Sequence, residues 1–253
     1  MKLTATMFII VCPLLFLAGF VDSIGGGGGL ISLPAYLMAG LPAHAAIATN
    51  KLGAFGGSLT ATIRFIRNKC VNFRLAVPSV IAAILGSSLG ARLSLMVEER
   101  VMSYILIIIL PLSAFLVLNK KFFNDNGSET ITFDKRTFLT AVAAAFIVGA
   151  YDGFYGPGTG TFLIIAFTAF AKLSIRHANG HAKVINLTTN ITSMTVFLLN
   201  GQVLIPLGLA GCICNMLGGY IGSGLALTNG TKVVRPIVIF VLILLLIKIL
   251  SGT

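Results

Sequence analysis

The sequence predicts an all-α polytopic membrane protein made of two repeated halves, each with about four hydrophobic segments and one glycine-broken helix pair. Three observations predict it. The 253-residue chain is 57% hydrophobic and 10% charged, with a mean hydropathy of +0.99, whereas a soluble domain carries about 25% charged residues. Apolar runs near the roughly 20 residues that cross a bilayer recur along it. The stretch Asp22-Ser23-Ile24-Gly25-Gly26-Gly27-Gly28-Gly29 has a counterpart in Asp152 and Tyr155-Gly156-Pro157-Gly158-Thr159-Gly160, 130 residues later (152 − 22). The runs are continuous rather than alternating, which argues against a β-barrel.

Segment 1a runs from Thr4 to Val21 and 1b from Gly28 to Ala39. Each of the five glycines between them costs an unbroken helix roughly 1 kcal/mol against alanine, so the segment breaks there. The backbone groups this frees are tolerated at membrane depth only in protein or beside a watered cavity. Met1 to Phe20 looks like a signal peptide with its Lys2, but Asp22 and the glycines follow at once and have a repeat partner. It is therefore read as a retained first membrane segment.

Segment 2 is Ala43 to Ile66, 3 is Leu75 to Val97 and 4 is Val101 to Leu118. After the polar loop Asn119 to Arg136 come 5a (Thr137 to Asp152), 5b (Gly158 to Ala171), 6 (Ala178 to Leu199), 7 (Val203 to Leu227) and 8 (Val233 to Leu250). Beyond the glycines the repeat offset becomes 132 (183 − 51): Lys51 matches Lys183, Thr60 matches Thr192, Phe65 matches Phe197, and Leu85-Gly86 with Gly90 matches Leu217-Gly218 with Gly222. The chain thus divides into an N-terminal membrane repeat (1–118), a cytoplasmic loop (119–136) and a C-terminal membrane repeat (137–253).

The net charge of +11 fits basic residues held in cytoplasmic loops, and no RNA motif or recognition helix accompanies it, so nucleic acid is not an expected partner. Arg64, Arg67, Lys69 and Arg74 surround the 2–3 turn; Lys120, Lys121, Lys135 and Arg136 lie in the central loop; Lys172 and Arg176 follow 5b; Lys232 and Arg235 follow segment 7. These loops share one side only if 5a enters, breaks, and 5b returns. That makes the halves inverted, with both termini outside, an architecture common among alternating-access carriers. Plain spanning by all the segments is the alternative.

Asp22 and Asp152 are the only acids of the seven outside loops. Buried membrane acids are usually interior and often functional. Each either braces the loose N–H groups of its own break or carries a proton. Lys51 and Lys183 either pair with those acids or attract an anion at the repeat interface. The anion reading gains from the breaks, because the helices starting at Gly28 and Gly158 turn N–H groups and a partial positive charge toward the cavity. Candidate binding residues are therefore Gly26, Gly27, Gly28, Gly29, Asn50, Lys51, Gly156, Gly158, Thr159, Gly160, Lys183, Asn186 and Asn190. Polar neighbours such as Thr49, Ser58, Thr60, Thr188, Thr189 and Thr192 either line a path or join helices. His177 and His181 are too few for a metal site, and Cys212-x-Cys214 has no partner pair, so neither metal nor cofactor is expected. No Gly-Lys-Ser/Thr follows the glycines, which excludes a Walker A motif, and no nucleophile–base set marks an enzyme.

The stretches Gly19 to Leu30 with Pro34, Ala46-Ile47-Ala48-Thr49-Asn50-Lys51-Leu52 with Gly56-Gly57-Ser58, and Gly149 to Gly160 resemble the TauE/SafE sulfite-exporter family of membrane transporters. The resemblance covers essentially the whole chain. It implies a multi-pass transporter of the cell inner membrane, in a family linked to sulfite, sulfoacetate and other sulfur-containing or organic anions. The resulting expectation is a secondary transporter of a small anion, working by alternating access at a midplane site between the repeats. The rivals are an anion channel and a non-transporting membrane scaffold. The particular anion, the direction, the coupling ion and the oligomeric state, a homo-oligomer included, are left open by the sequence.

Overall fold

The computed structural model describes residues 3–118 and 134–229. Most of the central loop, with Lys120 and Lys121, and all of segment 8, with Lys232 and Arg235, lie outside the described residues. Among the described residues there are α-helices and no strands: α1 (Ala5–Gly25), α2 (Gly29–Met38), α3 (Ala43–Arg67), α4 (Phe73–Met96), α5 (Glu99–Leu118), α6 (Lys135–Phe154), α7 (Thr159–Ala169), α8 (Ile175–Leu199) and α9 (Ile205–Asn229). Helices α1, α4, α6 and α9 are long and apolar enough to cross a membrane. Their outward faces carry exposed Ile81, Leu85, Leu89, Ile213, Leu217 and Ile221, an apolar exterior suited to lipid.

The broken segments are helical hairpins. Gly26 and Gly27, at φ +79° and +85°, and Gly156 and Gly158, at +107° and +90°, adopt a backbone that a side chain disfavours, and so reverse the chain. In the second hairpin Thr137 Oγ1, at the start of α6, donates to the Ala171 carbonyl beyond α7 at 3.4 Å, so the chain leaves at the end where it entered. In the first, a Cβ on Gly53 would meet both the Tyr36 hydroxyl and Leu15 Cδ1, which sets the last part of α2 beside the middle of α1. Both pairs fold back on themselves as hairpins, so neither 1a–1b nor 5a–5b forms one continuous rod.

The helices run further into the breaks than expected. α1 continues through Asp22 to Gly25 and α6 through Asp152 to Phe154. Glycine disfavours a helix interior far more than a last turn, where fewer bonds depend on it. The aspartates thus sit inside the last helical turns, just before the breaks.

Two close parallel pairs frame the molecule. Gly86 and Gly90 of α4 lie against the carbonyls of Phe146 and Ala150 of α6, and Gly218 and Gly222 of α9 lie against those of Phe16 and Phe20 of α1. Small residues permit this backbone approach. Between the pairs, α3 and α8 cross antiparallel: Asn190 Nδ2 donates to Ser58 Oγ at 3.1 Å, and Thr62 Oγ1 to the Lys183 carbonyl at 2.9 Å. Leu204 N–H donates to Thr49 Oγ1 at 3.0 Å, which places the start of α9 beside that of α3. Helices α1, α3, α5 and α9 therefore begin at one end, and α4, α6 and α8 at the other. The second end collects Arg64, Arg67, Lys69, Arg74, Lys135, Arg136, Lys172 and Arg176. The first end carries Glu98, Glu99 and Arg100.

Candidate functional site

The two hairpin tips meet in the centre of the protein. Gly26 packs on Gly160 and Thr161, and a Cβ on Gly29 would lie 2.9 Å from Pro157 Cα. Thr161 Oγ1 donates to the Gly25 carbonyl across this contact at 3.2 Å. Only glycine permits so close an approach of two backbones.

The last carbonyls of a helix are short of partners within it. The Asp22 carbonyl takes the Gly26 N–H at 2.8 Å, and the opposite half supplies further donors. Lys183 of α8 donates to the Asp22 carbonyl and pairs with Asp22 Oδ2 at 2.8 Å. Asn179, one turn earlier, donates to the Ile24 carbonyl at 3.0 Å. In the mirrored arrangement, Lys51 of α3 donates to the Asp152 carbonyl and pairs with Asp152 Oδ2 at 3.0 Å. A cation at a helix C-terminus also meets the negative end of the helix dipole. Both lysines stand about 12 Å along their helices, eight residues past Ala43 and Ile175 (51 − 43 and 183 − 175), which is why both reach the same depth.

The acids also brace their own breaks. Asp22 Oδ1 accepts from Gly28 N–H at 3.3 Å, and Asp152 Oδ1 from Thr159 Oγ1 at 2.7 Å. The two ion pairs are not equally covered: the side chains of Lys51 and Asp152 are 2% and 3% exposed, that of Lys183 is 0%, and that of Asp22 is 17% exposed.

A cavity of about 30 Å³ lies where the tips cross. A water occupies roughly 10–15 Å³ on this measure, so the space suits a few non-hydrogen atoms. Of the sequence candidates, it is lined by Gly27, Gly28, Gly29, Asn50, Lys51, Gly156, Gly158, Thr159, Gly160, Asn186, Asn190, Asp22 and Asp152. Gly26 and Lys183 are not in the lining: Gly26 is used at the crossing, and Lys183 stands behind Asp22. The N-terminal turns of α2 and α7 both border the cavity. Asn186 Nδ2 reaches Asp22 Oδ2 at 3.4 Å, and Asn50 Oδ1 is buried with no hydrogen-bond partner.

Ser32, Ser58 and Asn215 also line the cavity. Asn215 accepts from Gly57 N–H at 3.0 Å and donates to the Leu15 carbonyl at 2.9 Å, tying α9 to α3 and α1. An asparagine alone in an apolar run was the available signal for it; Ser32 carries none. His177 and His181 join helix ends instead: His177 Nδ1 is 3.1 Å from the Cys70 carbonyl, and His181 Nε2 accepts from Asn72 N–H at 3.2 Å. Arg64 packs over the Tyr220 ring, 4.8 Å from its centroid. Among the described residues no group of three or more His, Cys, Asp or Glu side chains is placed to hold a metal.

The sulfite exporter TauE/SafE family pattern matches residues 11–249. The probable membrane transporter protein YfcA of Escherichia coli (strain K12) is 37% identical over 238 residues, covering 94% of this chain and 87% of that protein. A probable membrane transporter protein of Haemophilus influenzae is 35% identical over 225 residues, covering 88% and 87%. The probable membrane transporter protein ORF9 of a Sinorhizobium species is 34% identical over 238 residues, covering 94% and 90%. No solved structure matches significantly. With its apolar helices, glycine-broken hairpins and near full-length similarity to these transporters, the chain is a multi-pass membrane transporter and belongs to the sulfite exporter TauE/SafE family.

Proposed function

We propose that the protein is a secondary transporter of a small anion in the cell inner membrane, with a sulfur-containing oxyanion or organosulfonate as its substrate class. The observation that carries this reading is the pair of hairpin tips crossing at one cavity, each presenting a helix N-terminus, with Lys51 and four carboxamides beside them. Helix N-termini attract anions, and glycine lets a ligand reach the backbone. The family name supplies the sulfur chemistry. The cavity volume supports a small substrate.

The two halves are read as inverted repeats, which exchange access by rocking about the crossing. Every crossing contact joins one half to the other, so the ion pairs Lys51–Asp152 and Lys183–Asp22 are the bonds such a motion rearranges. The end that gathers the basic residues is the cytoplasmic one.

The test is thermal stabilisation of the purified protein by sulfite, thiosulfate, methanesulfonate and acetate. The wild type is expected to be stabilised by one or more sulfur anions. Asn186→Leu, which fills the cavity and leaves both lysines paired, is expected to lose that response. No stabilisation by any anion, or an undiminished response in Asn186→Leu, would contradict the assignment.

A further inference from the structure

The cavity is electrically balanced: Lys51 and Lys183 face Asp152 and Asp22. Placing an anion in it adds an uncompensated negative charge to a weakly polarisable interior, which is costly. One proton taken up with each monovalent anion restores the balance. The groups facing the space decide where that proton goes. Among the described residues α1 contributes Asp22, α3 contributes Lys51, α6 contributes Asp152, and Lys183 of α8 stands behind Asp22; the lining residues from α2, α7 and α9 are not titratable.

The two acids are related by the repeat but differ in surroundings. Asp152 is held by the Thr159 hydroxyl at 2.7 Å and its side chain is 3% exposed. At the related position the first half has Gly29 (159 − 130), so Asp22 has no such partner. Apart from its lysine pair, which at 2.8 Å is no longer than the 3.0 Å pair of Asp152, its bonds are longer, 3.3 Å from Gly28 N–H to Oδ1 and 3.4 Å from Asn186 Nδ2 to Oδ2, and its side chain is 17% exposed. Carboxamides are also gathered on its side: Asn186 and Asn190 stand where the first half has Ala54 and Ser58 (186 − 132 and 190 − 132).

Building on the anion reading above, we propose that the anion binds together with one proton, carried by Asp22 and not by Asp152. The proton comes from the buffered bulk solution and bonds to Asp22 Oδ1, which accepts only the 3.3 Å bond from Gly28 N–H, while Oδ2 keeps its bond from Lys183. Lys183 stays an ammonium, the cavity gains one positive charge, and the anion cancels it. The Lys51–Asp152 pair is a brace that stays ionised throughout.

The experiment is calorimetric titration of the purified full-length protein with methanesulfonate, an anion that carries no proton of its own near neutral pH. Two buffers of different ionisation heat are used to count protons. The wild type is expected to take up one proton per anion, with affinity falling as the pH rises. Asp22→Asn, which mimics the protonated acid, is expected to bind without uptake and independently of pH. Thr159→Val removes the hydroxyl beside Asp152 and leaves both ion pairs in place; it is expected to bind more weakly but to keep one proton per anion, with the pH dependence of binding unmoved from wild type. Binding to the wild type without proton uptake would overturn this inference and leave the anion reading standing, as would uptake that persists in Asp22→Asn or a pH dependence that moves in Thr159→Val. A wild type that binds no methanesulfonate overturns this inference; if the thermal panel is also silent, the anion reading falls with it.

Discussion

Lys183 and Asp22 are 161 residues apart and belong to opposite halves of the chain, yet their side chains meet at 2.8 Å at the tip of the first hairpin. The ammonium also donates to the Asp22 carbonyl, beside the Gly26 N–H, so one side chain neutralises the carboxylate and binds the helix end that bears it. Lys51 does the same for Asp152. Each break is therefore completed by the other half.

The crossing has a measurable energetic signature. Removing one member of a buried pair leaves an unpaired charge and costs about 3–5 kcal/mol. Lys51→Met is expected to destabilise the protein by that order, and adding Asp152→Asn to recover part of the loss. Adding Asp22→Asn to Lys51→Met should give nearly additive losses. A double-mutant cycle of thermal unfolding in detergent distinguishes the two; coupling of Lys51 to Asp22 rather than Asp152 would refute the crossed arrangement.

The close helix pairs predict a contrast between glycines. A Cβ at Gly90 would overlap the Ala150 carbonyl, a backbone atom that cannot swing away, whereas one at Gly40 meets nothing within 4 Å. Gly40→Ala is therefore left with its left-handed backbone penalty of about 1–2 kcal/mol. Gly90→Ala should cost more, because α4 and α6 must separate along their contact. Melting temperatures of the two variants, compared side by side, check the order.

Acid should loosen the end of the molecule where α3 begins. Glu99 receives the N–H groups of Ala43 and His44 and lies 2.5 Å from His44 Nδ1. Its partial burial raises the carboxyl, but the hydrogen bonds from the His44 side chain and from the two N–H groups outweigh this and hold it below the ordinary value of 4.5. A depressed carboxyl adds stability above its unfolded pKa and loses it as pH falls through the folded one. Glu99→Gln should therefore lower the melting temperature at neutral pH, modestly because the side chain is half exposed to screening water. The gap to wild type should close once the pH drops below that depressed value. A gap that persists or widens in acid would contradict the assignment.

The hairpins fix which loops share a side. With the native cysteines replaced, single cysteines at Lys69, Lys135 and Lys172 are expected to react with a membrane-impermeant thiol reagent only from the cytoplasmic face. One at Gln202 should react only from the opposite face. Labelling of Lys135 and Lys172 from different faces would mean that α6 and α7 cross the membrane once instead of returning.

Much of this was legible in the sequence. The glycine runs marked both breaks, because so many glycines in an apolar stretch have no ordinary helical use. The basic loops required a return at the second break, and the hairpins supply it. The partner of each lysine was not legible: the repeat relates Lys51 to Lys183 and Asp22 to Asp152, but whether pairs form within or across halves depends on how α3 and α8 approach opposite hairpins. The unequal cover of the two acids was hidden for a related reason. It follows from single differences, Gly29 against Thr159 and Ala54 against Asn186, whose consequence appears only once the tips are packed together. Asn215 was not among the sequence candidates, because its place at the cavity appears only once α9 packs on α3 and α1 through its bonds to Gly57 and Leu15.

The central claim is that the crossing of the two hairpins binds and moves a small anion. Counterflow of labelled sulfite into proteoliposomes preloaded with unlabelled sulfite tests it most directly. Saturable accumulation by the wild type, abolished by Asn186→Leu while that variant remains folded, is the result the account predicts. The absence of counterflow for sulfite and for every other anion of the panel, or its persistence with the cavity filled, would contradict it.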